Sequence, residues 1–146
     1  MPTAAKKSKK TTKKPAAKAA ASKSARGPGA KVEAIDALAA ELREIGVLHS
    51  VAAAMSWDQE TMMPAKGGAL RADQLEMLSR MIHERRTGKR MGDLLRAAED
   101  AAAKKSDSRT LADLREARRD YDKARKLPTA LVAEMAQCAS LGMEAW

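Results

Sequence analysis

Few residues in this chain are suited to holding a metal or attacking a carbonyl: His49, His83 and the single cysteine, Cys138. His83-Glu84 opens like the HExxH zinc motif, in which two imidazoles one helical turn apart hold the ion and the glutamate activates water. Here the second ligand position is Thr87, and Gly88 beside it signals a helix end. One imidazole cannot build a tetrahedral site, so His83 is expected on a helix surface, paired with acids. His49, eight residues before Trp57, is expected to be partly buried and hydrogen-bonded to a neighbour. Cys138 lies between Gln137 and Ala139 in an apolar segment and is expected to be a small core residue rather than a nucleophile. There is no Gly-rich phosphate loop with its lysine and no Ser-His-Asp arrangement.

The segment W-D-Q-E-T-M-M-P, Trp57 to Pro64, crowds rare residue types together in a chain with only three aromatics. Two readings stand. In one, Trp57, Met62 and Met63 pack at a helix end while Asp58 or Glu60 caps backbone amides. In the other, the segment belongs to a site, with Trp57, Asp58, Gln59, Glu60, Met63 and Pro64 as its candidate residues.

Apolar residues at Val32, Ile35, Leu38, Leu42, Ile45, Leu48, Ala52 and Met55 recur every three to four positions and predict one long amphipathic helix leading into that segment. Asp36, Glu41 and Glu44 fall largely on its other face. Gly46 marks a kink or a close contact. Pro64, Gly67 and Gly68 predict a loop. A second helix is predicted over about 69–86, with Leu70, Leu75, Leu78, Met81 and Ile82 inward, and a third over about 91–103 with Leu94, Leu95 and Ala98. Ser106, Asp107 and Ser108 offer caps to a fourth helix carrying Leu111, Leu114 and Tyr121. Pro128 suits the first turn of a fifth, with Leu131, Val132, Met135 and Ala139 on one side. Nothing alternates with period two. The fold class expected for residues 32–146 is all-α, a bundle of about five helices, with the apolar stripe of the last helix still in want of a partner.

Charge divides the chain. Residues 1–31 hold ten Lys and Arg and no acid, leaving 18 bases against 19 acids for the rest, so the net charge of +9 is the tail's +10 with the body's −1. With almost no apolar surface to offset the cost of ordering a backbone, this stretch is expected to be disordered. Lys6, Lys7, Lys9, Lys10, Lys13 and Lys14 are its nucleic-acid candidates, through phosphate neutralisation without sequence readout. No aromatic is there to stack on bases. The tail lacks the apolar centre of a secretory signal; with one cysteine, the expected compartment is the cytoplasm.

Several blocks in order carry a more specific signal. W-D-Q-E-T-M-M-P with its following Gly pair, R-A-D-Q-L (71–75), I-H-E-R (82–85), L-R-E-A-R-R-D-Y-D-K-A-R-K-L-P (114–128), L-V-A-E-M-A (131–136) and S-L-G-M-E-A-W (140–146) resemble the amino-terminal part of the carboxypeptidase Taq family of metallocarboxypeptidases. The resemblance implies an all-helical, cytoplasmic, usually homodimeric enzyme that removes residues from peptide C-termini with zinc or another divalent ion. It also implies that the HExxH ligands lie downstream of the matched region, that His83 is not the zinc histidine, and that no metal is bound by this chain. On that reading the chain is an amino-terminal portion without the catalytic motif, and Asp58, Gln59 and Glu60 support the wall of a substrate groove. The alternative is a helical module whose basic tail binds nucleic acid or an acidic partner.

Overall fold

In a computed structural model, which describes residues 28–103 and 107–145, five helices follow one another: α1 (Pro28–Thr61), α2 (Gly68–Thr87), α3 (Lys89–Ala102), α4 (Ser108–Ala124) and α5 (Thr129–Ala145). Among the described residues there is no strand, as the period of the apolar residues requires. The tail reading, with Lys6 to Lys14, falls outside the described residues.

Local chemistry sets the boundaries. α1 begins at Pro28, four residues ahead of Val32, since a proline's missing N–H costs nothing in a first turn. Asp107 caps α4 by accepting the Thr110 amide at 3.1 Å, and the bond holds its carboxyl below the usual carboxylate range. Pro128 stands just before α5, not in its first turn, and its carbonyl accepts from the Val132 amide. Gly88 ends α2 and opens α3 in an extended conformation, φ −65°. Its need for glycine is spatial: a Cβ there would come within 2.9 Å of the Glu84 carbonyl oxygen. Gly46 makes no close contact, since a Cβ would meet nothing within 4 Å.

The core is built from Leu38, Ile45, Ile82, Met91, Leu95, Ala98, Ala102, Leu114 and Tyr121. α1 packs on α2 and α3, α4 closes over α3, and α5 lies along α2. Between α3 and α4 the fit depends on Gly92, where a Cβ would stand 2.5 Å from the Tyr121 hydroxyl. Arg118 and Arg125 flank the Tyr121 ring at 5.6 and 5.3 Å from its centroid, within cation-π range.

Several inward assignments give way. Val32, Leu42, Leu70, Met81, Leu111, Leu131 and Met135 are exposed, and Cys138 is a free, exposed thiol. On α5 the inward face is made by Ala133 and Ser140, so Ala139 and Cys138 turn outward. Small side chains at that contact let the helices approach closely, and size was the wrong guide to direction.

Candidate functional site

The loop after α1 and the end of that helix bring part of the Trp57–Pro64 segment against α2 and α5. Trp57 to Thr61 form the last helical turn. The Asp58 carbonyl accepts the amides of Met62 and Met63, and the Pro64 carbonyl accepts that of Gly67.

Asp58 is bound through its side chain to Arg71 of α2, with Nη2 donating to Oδ2 at 2.6 Å. A second nitrogen of the same guanidinium, Nη1, donates to the Met55 carbonyl. An acid in the last turn of a helix opposes the helix dipole, and α1 has no basic residue of its own there; the guanidinium of Arg71 offsets both. Amide capping by Asp58 or Glu60 is thereby replaced by an ion pair to a neighbouring helix.

Gln59 reaches α5. Its Nε2 donates to the Ser140 carbonyl and its Oε1 accepts from the Ser140 hydroxyl, both at 2.8 Å. Ser140 is buried, so this exchange satisfies a hydroxyl that has left water. Between α2 and α5, Gln137 Nε2 donates to Asp73 Oδ1 at 3.0 Å.

The other residues of the segment point elsewhere. Trp57 and Met62 are exposed, which overturns their expected packing in a helix-end knot. Glu60 and Pro64 are exposed as well. Met63 is half-buried, its Cγ 2.9 Å from where a Cβ on Gly67 would stand.

His83 is buried, not on a surface beside acids. Its Nε2 lies 3.1 Å from the Ala124 carbonyl and its Nδ1 3.0 Å from the Thr129 hydroxyl. A carbonyl only accepts, so Nε2 carries a proton, and in the neutral ring Nδ1 accepts from Thr129. The ring joins α2 to the end of α4 and the start of α5, with neither nitrogen left for an ion. His49 is exposed, in a groove of about 290 Å³ between α1, α3 and α4 whose lining includes Leu42, Met91, Asp120 and Tyr121.

Glu41, expected on the outer face of α1, is buried. Arg85 Nε donates to its Oε1 at 3.1 Å, and Arg90 Nε lies 3.0 Å from Oε2 without the alignment of a hydrogen bond. Arg85 also reaches Glu44 at 2.5 Å, and that bond, with Glu41 behind it, raises the arginine's pKa further. Glu99 and Arg118 form a two-fold pair between α3 and α4 at 2.8 and 2.7 Å, which holds the Glu99 carboxyl below its usual range.

Among the described residues no three His, Cys, Asp or Glu side chains stand together as a metal could use them. No helix of the described residues is long and apolar enough to cross a membrane.

Fold and site together define an all-helical bundle fastened by cross-helix polar pairs. Its relationship is specific. Residues 37–146 match the family model for the carboxypeptidase Taq (M32) metallopeptidases, and the chain belongs to that family. It is similar to thermostable carboxypeptidase 1 of Thermus thermophilus, 37% identical over 105 residues, which is 71% of this chain and 21% of that protein. The chain thus spans about one-fifth of the length of the curated relative it matches. No solved structure matches it.

Sequence reasoning missed Arg71, Asp73, Glu41 and Ser140 as structural partners. Three of them were within reach: Arg71 and Asp73 lie in the R-A-D-Q-L block and Ser140 opens S-L-G-M-E-A-W, so the quoted blocks contain both ends of the Asp58–Arg71 and Gln59–Ser140 pairs.

Proposed function

We propose that this chain is the amino-terminal helical region of a metal-dependent carboxypeptidase that releases C-terminal amino acids from peptides, and that it supplies framework and not the reacting groups. In the complete enzyme zinc or another divalent ion activates water; Asp58 and Gln59 would hold the end of α1 against α2 and α5 and so support the wall of the peptide groove. The observation that carries this reading is the family match over 37–146, taken with the 21% of the Thermus relative that the chain spans. The purified chain, given zinc or cobalt, is expected to release no amino acids from peptide C-termini. Metal-dependent release by this chain alone would overturn the proposal.

A second reading rests on the ten bases and no acids of residues 1–31: the tail binds nucleic acid or an acidic partner. Retention on DNA should then fall steeply with salt and vanish when residues 1–31 are removed. Unchanged binding by the shortened chain would remove it.

A further inference from the structure

Gly46 stands inside α1 without a reason in the chain's own folding. No glycine of the described residues has a positive φ, and nothing lies within 4 Å of where a Cβ at 46 would be. A glycine inside a helix costs about 1 kcal/mol relative to alanine. What Gly46 borders is the groove of about 290 Å³ between α1, α3 and α4, whose room a side chain there would take. Glycine in such a place lets a bound molecule approach the backbone closely. The groove also differs from the exposed apolar side chains of α2 and α5 in that its floor reaches the core, through Ile45, Met91 and Leu95.

Both signs of charge stand at its edge. Arg86 of α2 donates from Nη2 to Asp120 Oδ2 of α4 at 3.1 Å, and the two side chains are 38% and 54% exposed. A guanidinium has more N–H groups than this one bond uses, and a carboxylate has a second oxygen. The exposed ring of His49 lines the same groove and adds an N–H donor. We infer that the groove binds a free α-amino acid with an apolar side chain. Its carboxylate would lie on Arg86 and His49, its ammonium on Asp120 Oδ1, and its side chain against Ile45, Met91 and Leu95. An anion alone would be repelled by Asp120 and a cation alone by Arg86, whereas a zwitterion pairs with both. The volume sets the size: it falls at the low end of the roughly 300 to 1,000 Å³ of small-molecule sites, and one turn of a helix about 10 Å across does not enter it. The inference stands apart from the framework reading, since neither peptide hydrolysis by the chain nor its absence bears on this groove.

The test titrates L-leucine into the full chain with its methionine methyl groups isotope-labelled for NMR. The Met91 methyl, on the groove floor, should shift saturably, while those of Met77 and Met135, exposed on α2 and α5, stay in place. N-acetyl-leucine, which lacks the ammonium, and leucinamide, which lacks the carboxylate, should each bind about tenfold or more weakly through loss of one charged contact. Gly46→Leu puts a side chain into the groove and should weaken leucine binding by about tenfold or more without lowering the melting temperature. Asp120→Asn should weaken leucine and leave N-acetyl-leucine as it was. No saturable shift of Met91 at millimolar leucine overturns the inference, as does leucine held by Gly46→Leu as tightly as by the parent chain. N-acetyl-leucine bound as tightly as leucine overturns it too, because the groove would then read a carboxylate alone, such as the end of a peptide.

Discussion

Gln59 and Ser140, 81 residues apart, exchange two hydrogen bonds of 2.8 Å in which the amide of one satisfies both the hydroxyl and the carbonyl of the other. The pair fixes the end of α1 to α5, two helices that have few other contacts. Because Ser140 is buried, truncating Gln59 to Ala leaves a desolvated hydroxyl without its acceptor and should cost about 1–3 kcal/mol. Replacing both partners, as in Gln59→Leu with Ser140→Ala, should cost less than the two single changes together. Urea unfolding of the four proteins checks this; strict additivity would show that the two side chains act independently.

Glu41 offers a sharper contrast. It is a buried carboxylate facing Arg85 and Arg90, and a charge taken out of water is stabilising only while its partners remain. Arg85→Ala should therefore lower the melting temperature, since it strands the Glu41 carboxylate. Glu41→Met, of similar length, should leave the melting temperature level or raise it, because the arginines can turn to water. Calorimetry of both variants decides the matter, and an equal fall in the two would mean that the ion pair is a net source of stability.

The helices were legible in the sequence because their signals are local. Apolar spacing, the Asp107 cap, Gly88 and the Pro64–Gly68 break all act within a few residues. His83 and Glu41 were misplaced for the opposite reason. The groups that bury and satisfy His83 lie 41 and 46 residues away, and the arginines of Glu41 come from α2 and α3; hydropathy assigns such side chains to water because it cannot see a partner that arrives by folding. The polar residues of the Trp57–Pro64 segment stood out by their rarity. Which of them fasten and which face outward depended on where α2 and α5 came to lie.

Two glycines on helices should respond in opposite senses to enlargement. Gly92 faces the Tyr121 hydroxyl so closely that a Cβ would lie 2.5 Å from it, and Tyr121 is a rigid, buried ring. Gly92→Val should destabilise by about 1–3 kcal/mol through overpacking. Gly46 has open space around it, so Gly46→Ala should stabilise α1 by about 1 kcal/mol through helix propensity alone. Denaturant midpoints test the pair: an undiminished midpoint in Gly92→Val would contradict the packing of α3 against α4, and a lowered one in Gly46→Ala would contradict the open space beside α1.

The Glu99–Arg118 pair predicts a dependence on pH whose direction is fixed. Hydrogen bonding to Arg118 lowers the Glu99 pKa from its ordinary 4.5 in the folded chain, so folding favours the ionised carboxylate. The stability this supplies is complete above about pH 4.5 and is lost as the pH falls through the lowered folded value. Both side chains are about a third exposed, and water screens the pair enough to keep the effect modest. Glu99→Gln should therefore unfold at lower urea than the parent chain at pH 7, and the gap should close on acidification below about pH 4.5. Arg118→Met should remove the same pH dependence from the carboxylate side. A gap between parent and Glu99→Gln that stayed constant from pH 7 through the acid range would show that the two bonds of 2.8 and 2.7 Å contribute through shape and not through charge.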